Sequence, residues 1–261
     1  MSFVANKKVN LHVFKQKVMY KVPSHQELQK IVELIRSIIF PEYYPAMTQP
    51  EPLLNALLLI QLSTVLDSTD EANQVSKQFC EMMPEIRDLL ESDVEAAMHN
   101  DPAVKSKAEV IYCYPLIREM LHYRPAHCLY ELGVPLIPRM LTEMSHSETG
   151  IDIHPAAKIG DHFCIDHGTG VVVGETCIIG SHVVLYQGVT LGAKNFQYDE
   201  AGNPLNVPRH PIIEDNVTIY SNTSVLGRVT IGHDTIVGGN IWLTHDVPPH
   251  SKIIQQTFTY S

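Results

Sequence analysis

The carboxyl-terminal part of the chain carries large aliphatic residues at a spacing of six positions. These residues are Ile213, Ile219, Val225, Ile231, Val237 and Leu243. Four positions after each stands a second small or β-branched residue: Val217, Thr223, Val229, Thr235, Ile241 and Val247. A short, unbroken period is the signature of a repeat architecture, in which each unit is one supersecondary element. The pattern therefore predicts a solenoid.

The same spacing runs from residue 153 to residue 191, with a two-residue slip at Val171–Val172, and stops between Gly192 and Pro211. We therefore expect a loop that leaves the repeat there. Each hexapeptide supplies a short strand and a corner, and its aliphatic side chain is buried only when further turns stack on it. Glycine, as at Gly232 and Gly238, suits a corner because it tolerates positive φ. A parallel β-helix is predicted; a β-sandwich is the alternative, but its strands would not keep one period.

Residues 1–150 follow helical spacing instead. Ser24 to Glu27 reads as a capping box before an apolar helix that Pro41 ends. Further helices are predicted from about Pro52 to Leu66, from Ser68–Asp70 with a break at Pro84, and from Asp101-Pro102 as an N-cap and first-turn proline. The prediction is an α+β protein. An all-α domain over residues 1–150 is joined by a short polar junction to a β-helix domain over residues 151–261.

Composition narrows the classes of function. Hydrophobic residues make up 44% of the 261 positions, which is enough for a sizeable core, and the net charge is −10 without a basic cluster. Nucleic acid and anionic membranes are therefore poor partners. The apolar stretch Leu53–Leu66 is too short to span a bilayer, and the amino terminus lacks a signal-peptide pattern. Five cysteines without metal-ligand spacing fit a reducing compartment. We expect a cytoplasmic protein and assign no metal ligand.

Residue types that can take part in catalysis or substrate binding cluster where the repeat begins. The chain reads Asp-Ile-His-Pro-Ala-Ala-Lys-Ile-Gly over residues 152–160 and Asp-His-Gly-Thr-Gly over residues 166–170. These runs resemble the serine O-acetyltransferase family specifically, whereas many acyl- and nucleotidyltransferases share the bare repeat. The resemblance covers the whole β-helix and the Asp101-Pro102-Ala103-Val104 run. It implies a left-handed β-helix and transfer of an acetyl group from acetyl-CoA to the hydroxyl of L-serine, on the path to cysteine.

The resemblance implies that His167 is the general base and that Asp152 is its partner. A serine hydroxyl is a weak nucleophile at neutral pH, and an imidazole within hydrogen-bond reach can remove its proton during attack on the thioester. A carboxylate on the other ring nitrogen fixes the tautomer and stabilises the imidazolium. Fifteen residues separate the two side chains, a little under one coil of three hexapeptides, so they can meet on one face.

By resemblance, Asp101 and Asp166 pair with the serine ammonium, and Arg209 and His210 hold its carboxylate, which an arginine can bind in bidentate fashion. Asp101 is alternatively only a helix cap, and Arg209 only a surface charge. In similar enzymes the site lies between neighbouring subunits, so Arg209 and His210 can belong to an adjacent chain. Acetyl-CoA is expected as a co-substrate, with no permanently bound cofactor. Its contacts, largely with backbone groups, are implied at Gly192, Ala193, Ser221 and Gly239.

The resemblance also implies feedback inhibition by L-cysteine and a homo-oligomer, either a trimer or a dimer of trimers. Two features depart from the family pattern. The protruding loop 194–210 is longer than usual, and its run from Asp199 to Pro204 is expected to turn. Family tails commonly end in an isoleucine that inserts into O-acetylserine sulfhydrylase, whereas this chain ends Gln255–Ser261. We therefore expect that complex not to form through the usual tail.

Three other functions fit parts of the pattern. An acyltransferase for a sugar or antibiotic hydroxyl would share the repeat, and a non-catalytic scaffold would share the fold alone. A β-helical zinc hydrase could draw three ligands from His154, His162, His167, His182 and His210. The two motif runs favour the serine O-acetyltransferase over all three.

Overall fold

A computed structural model describes residues 22–44 and 49–255. The expectations for the amino terminus and for the tail beyond Gln255 lie outside these residues. The helices within them are α1 (His25–Ile39), α2 (Pro50–Leu62), α3 (Thr69–Glu81), α4 (Met83–Asn100), α5 (Lys107–Cys113), α6 (Pro115–Glu131) and α7 (Ile137–Thr149). In this part of the chain no helix combines the length and the apolar character that a membrane crossing requires.

Serine caps begin three of the helices. The side chains of Ser24, Ser68 and Ser106 accept hydrogen bonds from the backbone N–H groups of Glu27, Glu71 and Glu109. Each cap satisfies one of the N–H groups that the first turn of a helix leaves unpaired. The predicted starts at Ser24 and Ser68 are confirmed, and the predicted break at Pro84 falls at the junction of α3 and α4.

The helix predicted to begin at Asp101-Pro102 does not begin there. Asp101 is instead the C-cap of α4, and its Oδ1 accepts the Ala103 N–H at 2.7 Å. α5 begins only at Lys107, after the cap at Ser106. The physical reason is that the carboxylate closes a turn on Ala103, while Ser106 satisfies the first N–H groups of α5.

Fourteen short strands follow within the described residues. They are β1 (Asp152–Ile153), β2 (Lys158–Ile159), β3 (Cys164–Asp166), β4 (Val172–Val173), β5 (Ile178–Ile179), β6 (Val184–Tyr186), β7 (Thr190–Gly192), β8 (Ile212–Ile213), β9 (Thr218–Ile219), β10 (Ser224–Leu226), β11 (Thr230–Ile231), β12 (Ile236–Val237), β13 (Trp242–Leu243) and β14 (Lys252–Ile253). They stack into three parallel sheets, which we name face A (β1-β4-β7-β10-β13), face B (β2-β5-β8-β11) and face C (β3-β6-β9-β12-β14). The predicted fold, a helical part followed by a left-handed parallel β-helix, is confirmed.

The slip in the repeat is a longer first coil. Asp152 pairs with Val172, which is 20 residues further along, whereas Val172 pairs with Thr190, which is 18 residues further along. The two extra residues lie in the corner that joins β3 to β4. The loop that the sequence predicts is also present, because β7 ends at Gly192 and β8 begins at Ile212.

Asparagine, aspartate and histidine supply many of the left-handed corners, and the two glycines singled out above do not. Asn222, Asp234 and Asn240 have φ values of 59°, 55° and 56°, whereas Gly232 and Gly238 do not have positive φ. Gly232 is needed for a close approach instead, since a Cβ there would lie 2.4 Å from the backbone nitrogen of Pro249.

A buried ion pair joins the helices to the β-helix. Arg124 of α6 donates from Nε and Nη2 to the carboxylate of Asp93 on α4, at 3.1 and 2.9 Å. The same guanidinium donates to the carbonyl oxygens of Ile159 and Gly160 at 2.6 and 2.7 Å. Asp93 also accepts the Phe163 N–H at 3.2 Å. Buried residues of both parts form one continuous hydrophobic core.

Candidate active site

His167 stands in the two-residue insertion between face C and face A. Its φ is 58°, and Gly168 and Gly170 follow with φ of 85° and 78°. A side chain at Gly168 would collide with Ile151, whose Cδ1 lies 2.5 Å from the position of a Cβ. This tight corner projects the imidazole outward, where its side chain is 72% exposed and Nε2 lies 3.9 Å from Oδ1 of Asp166.

The helical part brings a second carboxylate to this corner. Oδ2 of Asp101 accepts a hydrogen bond of 2.5 Å from the Tyr114 hydroxyl. That hydrogen bond, the Ala103 N–H and the nearby His167 lower the pKa of Asp101, and the same hydrogen bond raises the pKa of Tyr114. Asp101 and Asp166 line one small cavity. Of the predicted site residues, the structure thus brings together Asp101, Asp166 and His167.

A different corner holds the predicted cationic group. The backbone N–H groups of Arg209 and His210 donate to Oγ1 of Thr176 at 2.9 and 3.0 Å, at the corner between face A and face B. The Arg209 guanidinium pairs with Glu175 at 2.5 Å. Gly174 leaves room for the imidazole of His210, because a Cβ there would lie 2.1 Å from its Cδ2.

His210 is held as a neutral ring. Nδ1 accepts the Thr176 N–H at 3.0 Å, which leaves the proton on Nε2. Burial, together with the neighbouring Arg209, lowers the pKa of His210 to about 4. At neutral pH its Nε2–H is therefore a hydrogen-bond donor without charge, and the positive charges at this corner belong to Arg209 and to Arg228, which donates to the carbonyl oxygens of Thr176 and His210.

Asp152 does not contact His167 within the described chain. Its Oδ1 lies 3.7 Å from Nη1 of Arg139. The backbones of the two regions nevertheless adjoin, since the Gly170 N–H donates to the Gly150 carbonyl at 2.8 Å. Asp152 begins β1, with its neighbour Ile153 pointing inward, so its side chain stands on the outside of face A.

The four positions implied for CoA also divide between the two edges of face A. Ser221 and Gly239 adjoin on the edge next to face C, where a Cβ at Gly239 would lie 3.0 Å from the Ser221 carbonyl oxygen. Gly192 and Ala193 lie on the edge next to face B, where β7 ends and the loop begins. Within that loop the predicted turn is confirmed, because Oδ1 of Asp199 accepts the N–H groups of Ala201 and Asn203.

Four further polar side chains belong to these two corners, and sequence reasoning assigned none of them. They are Tyr114 beside Asp101, and Glu175, Thr176 and Arg228 beside Arg209 and His210. Glu175 lies shortly after the two motif runs, at the same corner as Arg209 but one coil earlier. The repeat alone could therefore have predicted that Glu175 lies beside Arg209. Tyr114 lies in a helical segment, where nothing local indicated a partner for Asp101.

Comparison with known proteins shows to which family the chain belongs. A serine acetyltransferase of Synechococcus elongatus, encoded on a plasmid, is 44% identical over 263 aligned positions, which cover 90% of this chain and 82% of the relative. The Bacillus subtilis serine acetyltransferase is 40% identical over 166 positions, covering 64% and 73%. The chain belongs to the serine acetyltransferase family. No protein-family model matches it.

Solved structures agree with this assignment. Serine acetyltransferase 1 of Entamoeba histolytica, in complex with L-cysteine, superposes with a TM-score of 0.80 at 32% identity, over 94% of each chain. Isoform 3 from the same organism, in complex with cysteine, gives 0.79 at 31% identity, over 96% of this chain and 91% of that one. As a serine acetyltransferase the chain is an acyltransferase, as predicted, and the non-catalytic scaffold and the zinc hydrase are set aside.

Proposed function

We propose that this serine acetyltransferase uses acetyl-CoA as donor and forms O-acetyl-L-serine for cysteine biosynthesis, with His167 as general base. The observation that carries the proposal is the sorting of charge around face A. Asp101 and Asp166 stand beside His167 on one edge, and on the other edge Arg209 and Arg228, with one carboxylate at Glu175 and a neutral histidine, leave a net positive charge. An amino-acid substrate has one ammonium and one carboxylate, and these two clusters match those charges.

The two clusters fit a site between neighbouring subunits. They occupy opposite edges of face A, so one prism presents the acidic corner with His167 while the next presents Arg209 and His210. A homo-oligomer, a trimer or a dimer of trimers, would thus complete the site. In this arrangement Gly192 and Ala193 of one chain would approach Ser221 and Gly239 of another, and CoA would lie between them.

The reaction follows from these positions. The ammonium of serine pairs with Asp101 and Asp166, and its carboxylate with Arg209 and His210. His167 removes the hydroxyl proton while the oxygen attacks the thioester carbonyl, so that a C–O bond forms and the C–S bond breaks. The proton then passes from the imidazolium to the CoA thiolate. Asp152 would stabilise the imidazolium, since catalytic hydrogen bonds are often long before substrate binds and shorten in the complex.

L-Cysteine is proposed as an inhibitor at the same site. It carries the ammonium and carboxylate that the two clusters match, with a thiol where serine has its hydroxyl. Two similar enzymes of Entamoeba histolytica have been solved in complex with cysteine, and one of Neisseria gonorrhoeae has been solved with serine. These complexes support serine and cysteine as ligands of this chain.

Release of thiol from acetyl-CoA tests the proposal. We expect release that depends on L-serine and falls by about 10²- to 10⁴-fold in His167→Asn, the range for loss of a general base. His250→Asn is the matched control, because His250 has the same left-handed φ, of 57°, and the same 72% side-chain exposure. Release that depends on a sugar hydroxyl but not on serine would overturn the acceptor, and full activity of His167→Asn would overturn the base.

A further inference from the structure

A column of polar side chains follows the corner between face B and face C, far around the prism from face A. Its members all have left-handed φ, and they are His162, His182, Asn216, Asp234 and His250. Backbone hydrogen bonds stack them: the His182 N–H donates to the Asp161 carbonyl at 3.1 Å, and the Asn216 N–H donates to the Ser181 carbonyl at 2.9 Å. We name this column the histidine corner.

Two histidines and a carboxylate meet at the amino-terminal end of the histidine corner, on the first two coils of the β-helix. We name Asp161, His162 and His182 the upper group. The rings of His162 and His182 stack with centroids 4.3 Å apart and planes inclined by 23°. One donor atom from each of Asp161, His162 and His182 lies within 4.8 Å of the others. Oδ1 of Asp161 and Nδ1 of His162 are shielded from solvent and have no hydrogen-bond partner among the described residues, and Nδ1 lies 3.6 Å from the other oxygen of Asp161. Buried polar atoms usually have partners, so these two atoms are open positions for a ligand.

The same place adjoins a cavity with a further carboxylate. The cavity, of about 590 Å³, lies between α4 and the histidine corner, and its lining includes Glu95, His99 and both stacked histidines. Oε2 of Glu95 lies 3.6 Å from Nε2 of His162. The cavity therefore has room for an ion with bound water, and the Glu95 carboxylate stands beside the other ring nitrogen of His162.

We propose that Asp161, His162 and His182 bind a divalent transition-metal cation of the Zn²⁺ type. Imidazole nitrogen and carboxylate oxygen are ligands that Zn²⁺ takes, and three protein ligands leave a fourth position for water. Ligand bonds of roughly 2.0–2.1 Å place tetrahedral donors about 3.4 Å apart. The donor atoms here must close by on the order of 1 Å, and half-exposed or exposed side chains allow that movement.

Lower on the histidine corner, His233, Asp234 and His250 form a second group of the same composition. It fits a metal less well, because Oδ2 of Asp234 is already paired with Nδ1 of His233 at 2.7 Å, and all three residues are exposed. The upper group also faces α4. The backbone N–H of His162 donates to the hydroxyl oxygen of Ser92 on α4 at 3.0 Å. A cation there would link two neighbouring coils of the β-helix, because Asp161 and His162 lie in one coil and His182 in the next, independently of acetyl transfer.

Zinc titration of the metal-stripped full chain, followed by calorimetry and by competition with a chromophoric chelator, tests the site. We expect one equivalent of Zn²⁺ per chain, and visible bands of tetrahedral Co²⁺ when Co²⁺ replaces it. In His182→Asn the affinity should fall by at least about 100-fold, because losing a ligand costs no less than losing the group that supports one, which costs about 10- to 100-fold. Asn216 has φ of 58° on the same column, so asparagine tolerates this backbone.

His250→Asn is the matched control, since it changes the same residue type at the same conformation on the lower group. It should retain the wild-type affinity for Zn²⁺, and Asp161→Asn should lose it as His182→Asn does. Circular dichroism checks that each variant is folded. The proposal is overturned if the wild-type chain shows no saturable Zn²⁺ binding, if His182→Asn binds as the wild type does, or if the loss occurs in His250→Asn instead.

Discussion

The Tyr114 hydroxyl donates a hydrogen bond of 2.5 Å to Oδ2 of Asp101. Tyr114 is the N-cap of α6 and Asp101 the C-cap of α4, so this contact joins two helix ends at the edge of the cavity that Asp166 also lines. Because the hydrogen bond favours the ionised carboxyl, it lowers the pKa of Asp101. Tyr114 therefore holds a negative charge at the place that we propose for the ammonium of serine.

Replacement of Tyr114 by phenylalanine keeps the ring and removes this hydrogen bond. We expect the KM for serine to rise several-fold while kcat changes little, because in the proposed reaction Asp101 binds the substrate and does not take part in proton transfer. Steady-state kinetics with varied serine measure the effect. Tyr112→Phe is the control, since its hydroxyl bonds to the Tyr43 carbonyl instead. An unchanged KM in Tyr114→Phe would show that the hydroxyl does not position Asp101.

Mixed oligomers test whether the site lies between chains. His167→Asn and Arg209→Ala should each be nearly inactive alone, since each removes one of the two clusters. Co-expressed, they should regain partial activity, because an intact His167 of one chain can meet an intact Arg209 of another. Activity that stays at the level of the single variants in every mixture would place both clusters of one site in one chain.

Burial of Glu119 predicts a dependence of stability on pH. Loss of solvent contact raises the pKa of its carboxyl from 4.5 to about 8, against hydrogen bonds from Ser145 and Thr149 that lower it. Between these pH values the folded chain holds a proton that the unfolded chain releases. The free energy of unfolding therefore falls as pH rises through this window, by about 1.4 kcal/mol per pH unit for one proton.

Glu119→Gln should remove this contribution, since an amide does not titrate. Urea unfolding at several pH values between 5 and 8 measures the slope, with the wild-type chain as reference. The variant should be less sensitive to pH and should gain relative stability as pH rises. Parallel slopes for the two proteins would contradict the prediction and would mean that Glu119 titrates alike in both states.

Loss of the buried ion pair should destabilise the junction of helices and β-helix. Arg124→Met leaves Asp93 buried without its cation and two carbonyl groups without a donor. Removing one partner of a buried pair typically costs about 3–5 kcal/mol. Arg118→Met is the matched control, because Arg118 makes a half-exposed contact of 3.9 Å with Glu148, and such pairs contribute about 1 kcal/mol or less. Equal midpoints in urea for the two variants would refute the difference.

The β-helix could be predicted almost fully from sequence, and the helical part less so. Every hexapeptide must bury one aliphatic side chain, and this pattern recurs many times along the chain. One misinterpreted position therefore does not change the predicted fold. The Asp101-Pro102 pattern is compatible with a helix that begins there and with a turn. The chain forms the turn, closed by the Ala103 N–H, and the helix begins after its cap at Ser106. The glycines at 232 and 238 were assigned a conformational role, whereas Gly232 serves a close approach to Pro249, which sequence spacing does not report.

By itself the sequence determined the repeat, the two-residue slip that carries His167, the loop after Gly192 and the motifs that place the chain among serine acetyltransferases. These features are local or periodic, so neighbouring residues specify them. Only the tertiary structure decided that Tyr114 bonds to Asp101, that His210 is buried and neutral, that Arg209 lies across face A from His167, and that His162 stacks on His182. Each of these depends on which coils and helices pack together. The residues that meet lie in different coils or helices, so neighbouring residues in the sequence do not specify the contact.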